Sequence, residues 1–221
     1  MGNRSLNPRR QPTQERSRQR VEVILDTVSD ILIERGVEAV TTNLIAEKAD
    51  IPIGSVYQFF PNKFAIFRAL LDRFFLQIDA VFERFLSLEG PPLAWEERSD
   101  RTIEALARLW LREKAVAILW MGARHTPEMR SAAAEQFKKS EQYHLALLEN
   151  IQPNMTPLRR RTVARVLVNV GEELLALSVK GTPKERRQLV NEAKLLMRSY
   201  LGAFIEPGNT AQKKRSSQPD R

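Results

Sequence analysis

The run Thr41-Thr42-Asn43-Leu44-Ile45-Ala46-Glu47-Lys48-Ala49-Asp50-Ile51-Pro52-Ile53-Gly54-Ser55-Val56-Tyr57-Gln58-Phe59-Phe60-Pro61-Asn62-Lys63 decides how this chain folds. It divides into two short helical segments, Thr42 to Ala49 and Pro52 to Phe59, with room between them only for a tight turn, which is the layout of a helix-turn-helix over residues 41–60. Such a pair needs small or apolar residues where the helices meet. Ile45 and Ala46 face the partner helix, Ala49 and Ile51 flank the turn, and Val56 and Phe59 pack the second helix from below. At the turn stands Asp50, where glycine is usual; aspartate is among the few other residues that tolerate a left-handed backbone.

Outward from this pair the helical period continues in both directions. On the N-terminal side Val21, Ile24, Leu25, Val28, Ile31 and Leu32 recur at spacings of three and four up to Arg35 and Gly36, a basic residue and then a capping glycine. Glu22, Asp26, Asp30 and Glu34 stand opposite and read as a solvated face. On the C-terminal side a long helix is predicted from Asn62 to about Leu88, buried along Phe67, Leu70, Leu71, Phe74, Ile78, Val81, Phe82 and Phe85 and stopped by Gly90, Pro91 and Pro92.

Further helices are predicted near Trp95 to Lys114, Ala115 to Ala123, Pro127 to Asn150, Pro157 to Lys180 and Pro183 to Phe204, with prolines placed where a missing N–H costs nothing. No run alternates with period two long enough for a strand, so the fold is all-α. The last two helices are apolar on more than one side. Val163, Val166, Leu167, Val170, Leu174 and Leu177 make one stripe, with Val168, Leu175 and Val179 away from it, and Leu189, Ala193, Leu196, Met197, Tyr200 and Phe204 line the final helix. Two apolar faces must both be buried, one against the chain's own core and one most simply against a second copy.

Composition bounds what the chain can do. With 221 residues, 43% hydrophobic and 28% charged, it can bury a substantial core. It has no cysteine, which excludes disulfides and thiolate metal sites, and only two histidines, so no cofactor or metal is expected. The absence of a long apolar run or a signal-peptide pattern points to the cytoplasm and away from membranes. The net charge of +8 sits in the tails: residues 1–20 carry six arginines against Glu15, and residues 207–221 carry Lys213, Lys214, Arg215 and Arg221 against Asp220. Basic tails of this kind are solvated segments, and beside a DNA reader they also add phosphate affinity by releasing counterions.

The quoted run resembles the signature of the tetracycline-repressor (TetR) family in three features. These are the Thr41-Thr42 pair opening one helix, Gly54-Ser55-Val56-Tyr57 in the next, and Phe59-Phe60-Pro61-Asn62-Lys63 entering a third. The resemblance covers roughly 21–71 in sequence and the helix layout beyond. It implies a homodimer that binds double-stranded operator DNA, usually as a repressor, and is released by a small-molecule effector. On that plan about nine helices are expected: residues 1–20 form a basic flexible arm, 21–66 a three-helix DNA-binding domain, 67–206 an effector-binding and dimerisation domain, and 207–221 a basic disordered tail.

Roles then pass to matching positions. Thr42 and Asn43, at a helix N-terminus, are assigned to the phosphate backbone. Gly54 has no side chain to hold its helix off the duplex, so Pro52, Ile53 and Ser55 can approach closely, with Ile53 facing a thymine methyl and Gln58 an adenine. Tyr57 offers its hydroxyl to a phosphate, and Lys63 matches the family's phosphate-contacting lysine. The segment from Val21 to Lys63 is itself net acidic, so phosphate attraction must come largely from the arginine arm.

An apolar pocket is expected among Phe74, Phe75, Trp110, Trp120, Met121, Phe137 and Tyr143, with His125 in a nearby loop, and an apolar or amphipathic effector suits it. The dimer interface is expected at Val166, Val170, Leu174, Leu177, Leu196 and Tyr200. Two other classes fit the sequence less well. An α-helical enzyme would need a nucleophile–base pair, phosphate loop or metal spacing that the sequence lacks. A helical adaptor without DNA binding would have no use for Thr42, Gly54, Tyr57 and Lys63 together.

Overall fold

The computed structural model describes residues 15–87, 93–123 and 126–205, and among these it contains nine α-helices and no strand. They are α1 (Glu15–Arg35), α2 (Thr42–Lys48), α3 (Ile53–Phe59), α4 (Lys63–Phe85), α5 (Trp95–Arg112), α6 (Lys114–Ala123), α7 (Pro127–Ile151), α8 (Pro157–Ser178) and α9 (Pro183–Gly202), with a short 3₁₀ turn at Val37–Ala39. The all-α expectation and the helix order hold. Helix α1 begins at Glu15, so residues 15–20 of the expected arm are helical and present Arg16, Arg18 and Arg20 to solvent. The apolar period starts only at Val21, but Glu15 in the first turn and good helix formers after it carry the helix further back.

Helix ends are set by local chemistry. Thr41 caps α2, its Oγ1 accepting from the Leu44 N–H at 3.1 Å. Asn62 caps α4 through the Ala65 N–H at 3.1 Å, and Arg98 donates to the carbonyls of Phe85 and Ser87 beyond its other end. In α9 the Thr182 hydroxyl accepts from the Glu185 N–H while the Glu185 carboxylate accepts from the Thr182 N–H, a reciprocal box. The Thr182 hydroxyl also donates to that carboxylate at 2.7 Å, and this bond, with the one from the Thr182 N–H, holds the Glu185 carboxyl below its ordinary pKa.

The chain divides into two compact units, one of residues 1–77 and 110–136 and the other of 78–109 and 137–221. Compactness therefore does not follow the sequence division at residue 66, because α4, α5 and α7 each contribute to both units. In the first unit α1 packs on α2 and α6, and α2 on α3. Its core holds Ile24, Val28, Ile31, Leu32, Ile45, Val56, Phe60 and Phe67, all essentially sequestered from water. Each such side chain contributes about 1.5–3 kcal/mol of burial.

The acidic row of α1, read from sequence as merely solvated, meets cations. Arg73 of α4 reaches Glu22 at 2.8 Å and Asp26 at 3.3 Å, and Lys48 of α2 pairs with Glu34. In the second unit α8 packs against α9, with Val163, Leu167, Val168, Leu175, Met197 and Leu201 buried. Lys194 of α9 pairs with Glu104 of α5, and Arg198 lies 3.4 Å from Asp100.

Candidate functional site

Two places in the described residues bear on function. The first is the surface of α2 and α3. After Lys48 the Ile51 N–H returns to the Ala46 carbonyl at 3.1 Å and the Asp50 N–H to the Glu47 carbonyl at 3.2 Å, the paired closure of a Schellman motif. Asp50 occupies its left-handed position with φ 50°, a backbone the sequence reading allowed for aspartate. This turn aims α3 so that Val56 and Phe59 are buried while Pro52, Ile53, Gly54, Tyr57 and Gln58 are exposed and Ser55 is half-buried.

The exposed side chains of α3 are organised. Ile53 and Tyr57 keep 39% and 41% of their surface. The Tyr57 hydroxyl lies 3.0 Å from the Thr42 hydroxyl, tying α3 to the N-terminus of α2, where Asn43 is also exposed. A Cβ added at Gly54 would meet nothing within 4 Å, so no internal packing calls for glycine there. Lys63, at the first turn of α4, sits 5.8 Å from the Phe64 ring centroid. Of the nine residues singled out for DNA contact, Thr42 and Tyr57 meet directly, and Asn43, Pro52, Ile53, Gly54 and Gln58 are exposed.

The second place is a cavity of about 50 Å³ inside the second unit. Its wall is mainly apolar, with Phe82, Ile103, Leu106 and Leu175 among its members, and it includes Thr102, His144 and the buried carboxyl of Glu172. Burial drives the His144 imidazole below its ordinary pKa, against the opposing pull of the Ser140 carbonyl and of Glu141.

None of the residues expected to line a pocket lines this cavity. Phe74, Phe75, Trp110 and Trp120 instead pack edge-to-face in the core of the first unit, with Phe74–Trp110, Phe75–Trp120 and Trp110–Trp120 centroids 4.7, 5.7 and 6.5 Å apart. Met121 and Phe137 are half-buried elsewhere. Tyr143 packs on Phe82 and donates its hydroxyl to Glu83 at 3.2 Å, and burial with that bond raises its pKa to about 12. His125 lies outside the described residues. Sequence reading missed Thr102, His144 and Glu172; the signal for Glu172 was a carboxylate on the same helical face as Val168 and Leu175.

On α8 the single stripe expected from the sequence splits. Val163 and Leu167 enter the core with Val168 and Leu175, while Val166, Val170 and Leu174 stay half-buried and Leu177 keeps 41% of its surface. On α9 Leu196 is exposed and Tyr200 half-buried, its ring edge-on to Phe204 at 5.2 Å. Among the described residues no group of three or more histidines and carboxylates is placed to hold a metal, and no helix is long and apolar enough to cross a membrane.

Residues 24–70 match the family profile for bacterial regulatory proteins of the tetR family, and residues 94–201 match that for the tetracyclin repressor-like C-terminal domain. The HTH-type transcriptional repressor KstR of Mycolicibacterium smegmatis is 37% identical over 78 residues, covering 35% of this chain and 38% of that protein. The chain thus spans about a third of the length of the curated relatives it matches. A TetR-family transcriptional regulator from Streptomyces coelicolor superposes with TM-score 0.57 at 27% identity, over 84% of this chain and 99% of that one. A transcriptional regulator from Rhodococcus sp. Rha1 shares the fold with TM-score 0.66 at 21% identity, over 85% of this chain and 99% of that one. With its helix-turn-helix segment matched by one profile of that family and its C-terminal helices by the other, the chain belongs to the tetR family of bacterial regulatory proteins.

Proposed function

We propose that this protein is a transcriptional repressor that binds a palindromic operator as a homodimer and leaves it when a small apolar or amphipathic effector enters the cavity of the second unit. The observation that carries the reading is the outer face of α3, where Ile53 and Tyr57 stand exposed around a glycine whose missing side chain would touch nothing in the protein. That surface is uncharged from Pro52 to Phe60, which suits a helix that reads base edges while its neighbours hold phosphates. The Thr42 and Tyr57 hydroxyls, Asn43 and Lys63 are the phosphate-holding groups in this account.

Dimerisation follows from the outer apolar row of α8 and α9, with Val166, Val170, Leu174, Leu177, Leu196 and Tyr200 as the surface a second copy covers. The effector acts through α4, which begins with Lys63 beside the reader and carries Phe82 into the cavity wall. A ligand that binds better when α4 is displaced shifts the population toward dimers whose α3 helices no longer match the operator. The cavity's 50 Å³ is far below the roughly 300–1,000 Å³ of drug-sized sites, so effector entry must widen it, and that widening is the differential interaction the shift requires.

The test is fluorescence anisotropy with the palindromic duplexes nearest the gene, against a scrambled duplex at moderate salt. The palindrome is expected to bind at least about 10³-fold tighter. Gly54→Leu is expected to lose that preference while staying folded, its thermal unfolding no lower than the parent's. Equal affinity for both duplexes overturns the reading.

A further inference from the structure

A groove of about 590 Å³ opens between α4 and α5 on the second unit, within the roughly 300–1,000 Å³ of small-molecule sites. On α5 it takes Arg101, Glu104, Ala105 and Arg108, a helical face at spacings of three and four, whereas the enclosed cavity takes Thr102, Ile103 and Leu106 from the other face. Arg84 of α4 joins Arg101 and Arg108 at the groove wall, and all three are exposed. The one carboxylate in that wall, Glu104, is already engaged by Lys194 of α9. The Lys194 bond holds the Glu104 carboxyl below its ordinary pKa, and the charges of Arg108 and Arg101 add to the pull. Arg101 pairs with Glu97 at 2.6 Å, outside the wall. The Arg84 guanidinium lies 5.2 Å from the Phe85 ring centroid, and among the described residues neither Arg84 nor Arg108 forms an ion pair. The chain's net charge sits in its tails, so this gathering of cations between them is local. The small side chains of Ala80 and Ala105 leave the room, and Val81 adds an apolar floor.

We propose that this groove is a second ligand site, which takes a small organic polyanion of the phosphate-ester class with an apolar or aromatic body. Guanidinium forks match phosphate oxygens in pairs. Cations gathered from two helices repel one another, and an anion that bridges them removes the repulsion. A diphosphate carries enough charge to bridge both helices; a monocarboxylate does not. An aromatic body can lie over the floor and stack on a guanidinium plane. A groove of small-molecule size favours a compact ligand over a nucleic-acid backbone. The inference stands apart from effector entry into the enclosed cavity, since the two sites use opposite faces of α5.

The probes are ADP, pyrophosphate and adenosine, titrated by calorimetry into the full-length protein at moderate salt. ADP is expected to bind saturably and about tenfold or more tighter than either pyrophosphate, which lacks the aromatic body, or adenosine, which lacks the charge. Arg84→Gln with Arg108→Gln is expected to weaken ADP by about tenfold or more. Arg161→Gln with Arg187→Gln, which removes the same charge from exposed positions elsewhere, is expected to leave ADP binding unchanged. Ala105→Leu, which fills the floor without altering charge, is expected to weaken ADP and spare pyrophosphate. Absence of saturable ADP binding overturns the proposal. So does ADP binding that both arginine pairs weaken alike, which would assign it to general attraction. Weakened duplex binding with unchanged ADP affinity in the Arg84 and Arg108 variant would assign the cluster to DNA phosphates and overturn it as well.

Discussion

On the proposed reading, Gly54 separates what folding wants from what function wants. In a helix glycine is about 0.5–1 kcal/mol worse than alanine, and here a Cβ would enter open space. Gly54→Ala is therefore expected to raise stability by up to about 1 kcal/mol in urea melts while weakening operator binding, because the added methyl stands between α3 and the duplex. A variant that binds DNA as well as the parent would show that this face of α3 is not the reading surface. His144 gives a second residue-scale expectation. Its folded pKa lies below the ordinary 6.5 because burial disfavours the charged ring, so the unfolded chain takes up the proton more readily. Its contribution is whole at pH above about 6.5 and is lost as pH falls through that value toward the lower folded pKa. His144→Phe is expected to flatten the fall in urea midpoint between pH 7 and 5.5, and since His125 is present in both proteins, the difference between the curves isolates His144. Identical curves would contradict the desolvated placement.

At the scale of elements, the prolines, glycines and capping hydroxyls made helix ends readable to within a few residues, as at Pro127, Pro157 and Pro183. The left-handed turn at Asp50 was legible because few residue types tolerate that backbone. Which way an all-round apolar helix faces was not legible. Val166 and Leu167 are adjacent on α8, one half-buried and one in the core, and periodicity cannot choose between two apolar rows. For the same reason an aromatic set at helical spacing suggested a pocket at Trp110 and Trp120, where it forms packed core. Trp120→Ala is thus expected to cost about 3–5 kcal/mol in unfolding free energy, with effector affinity of the surviving folded fraction little changed. Packing between elements was equally hidden. A Cβ on Gly122 of α6 would lie 2.8 Å from Val37 Cγ2 in the 3₁₀ turn, so Gly122→Ala is expected to destabilise by about 1–3 kcal/mol by urea titration.

For the whole molecule the governing quantities are charge and symmetry. Between Val21 and Lys63 acids outnumber bases, so on the proposed reading the arginines N-terminal to that segment supply the phosphate affinity. Arg16, Arg18 and Arg20 stand exposed on α1, while Arg4, Arg9 and Arg10 lie outside the described residues. Replacing all six with glutamine is expected to shrink the slope of log affinity against log salt by about 0.9 for every phosphate these arginines neutralise. An unchanged slope would assign that neutralisation to other residues. Symmetry enters through the outer rows of α8 and α9, which on this account set the distance between the two α3 helices. The most direct measurement is affinity as a function of half-site spacing. Two half-sites about one helical turn apart, roughly 34–36 Å centre to centre, are predicted to bind one dimer tightly. Inserting half a turn between them is predicted to drop affinity to that of a single half-site. Binding that ignores the insertion would contradict a dimer reading two grooves at once.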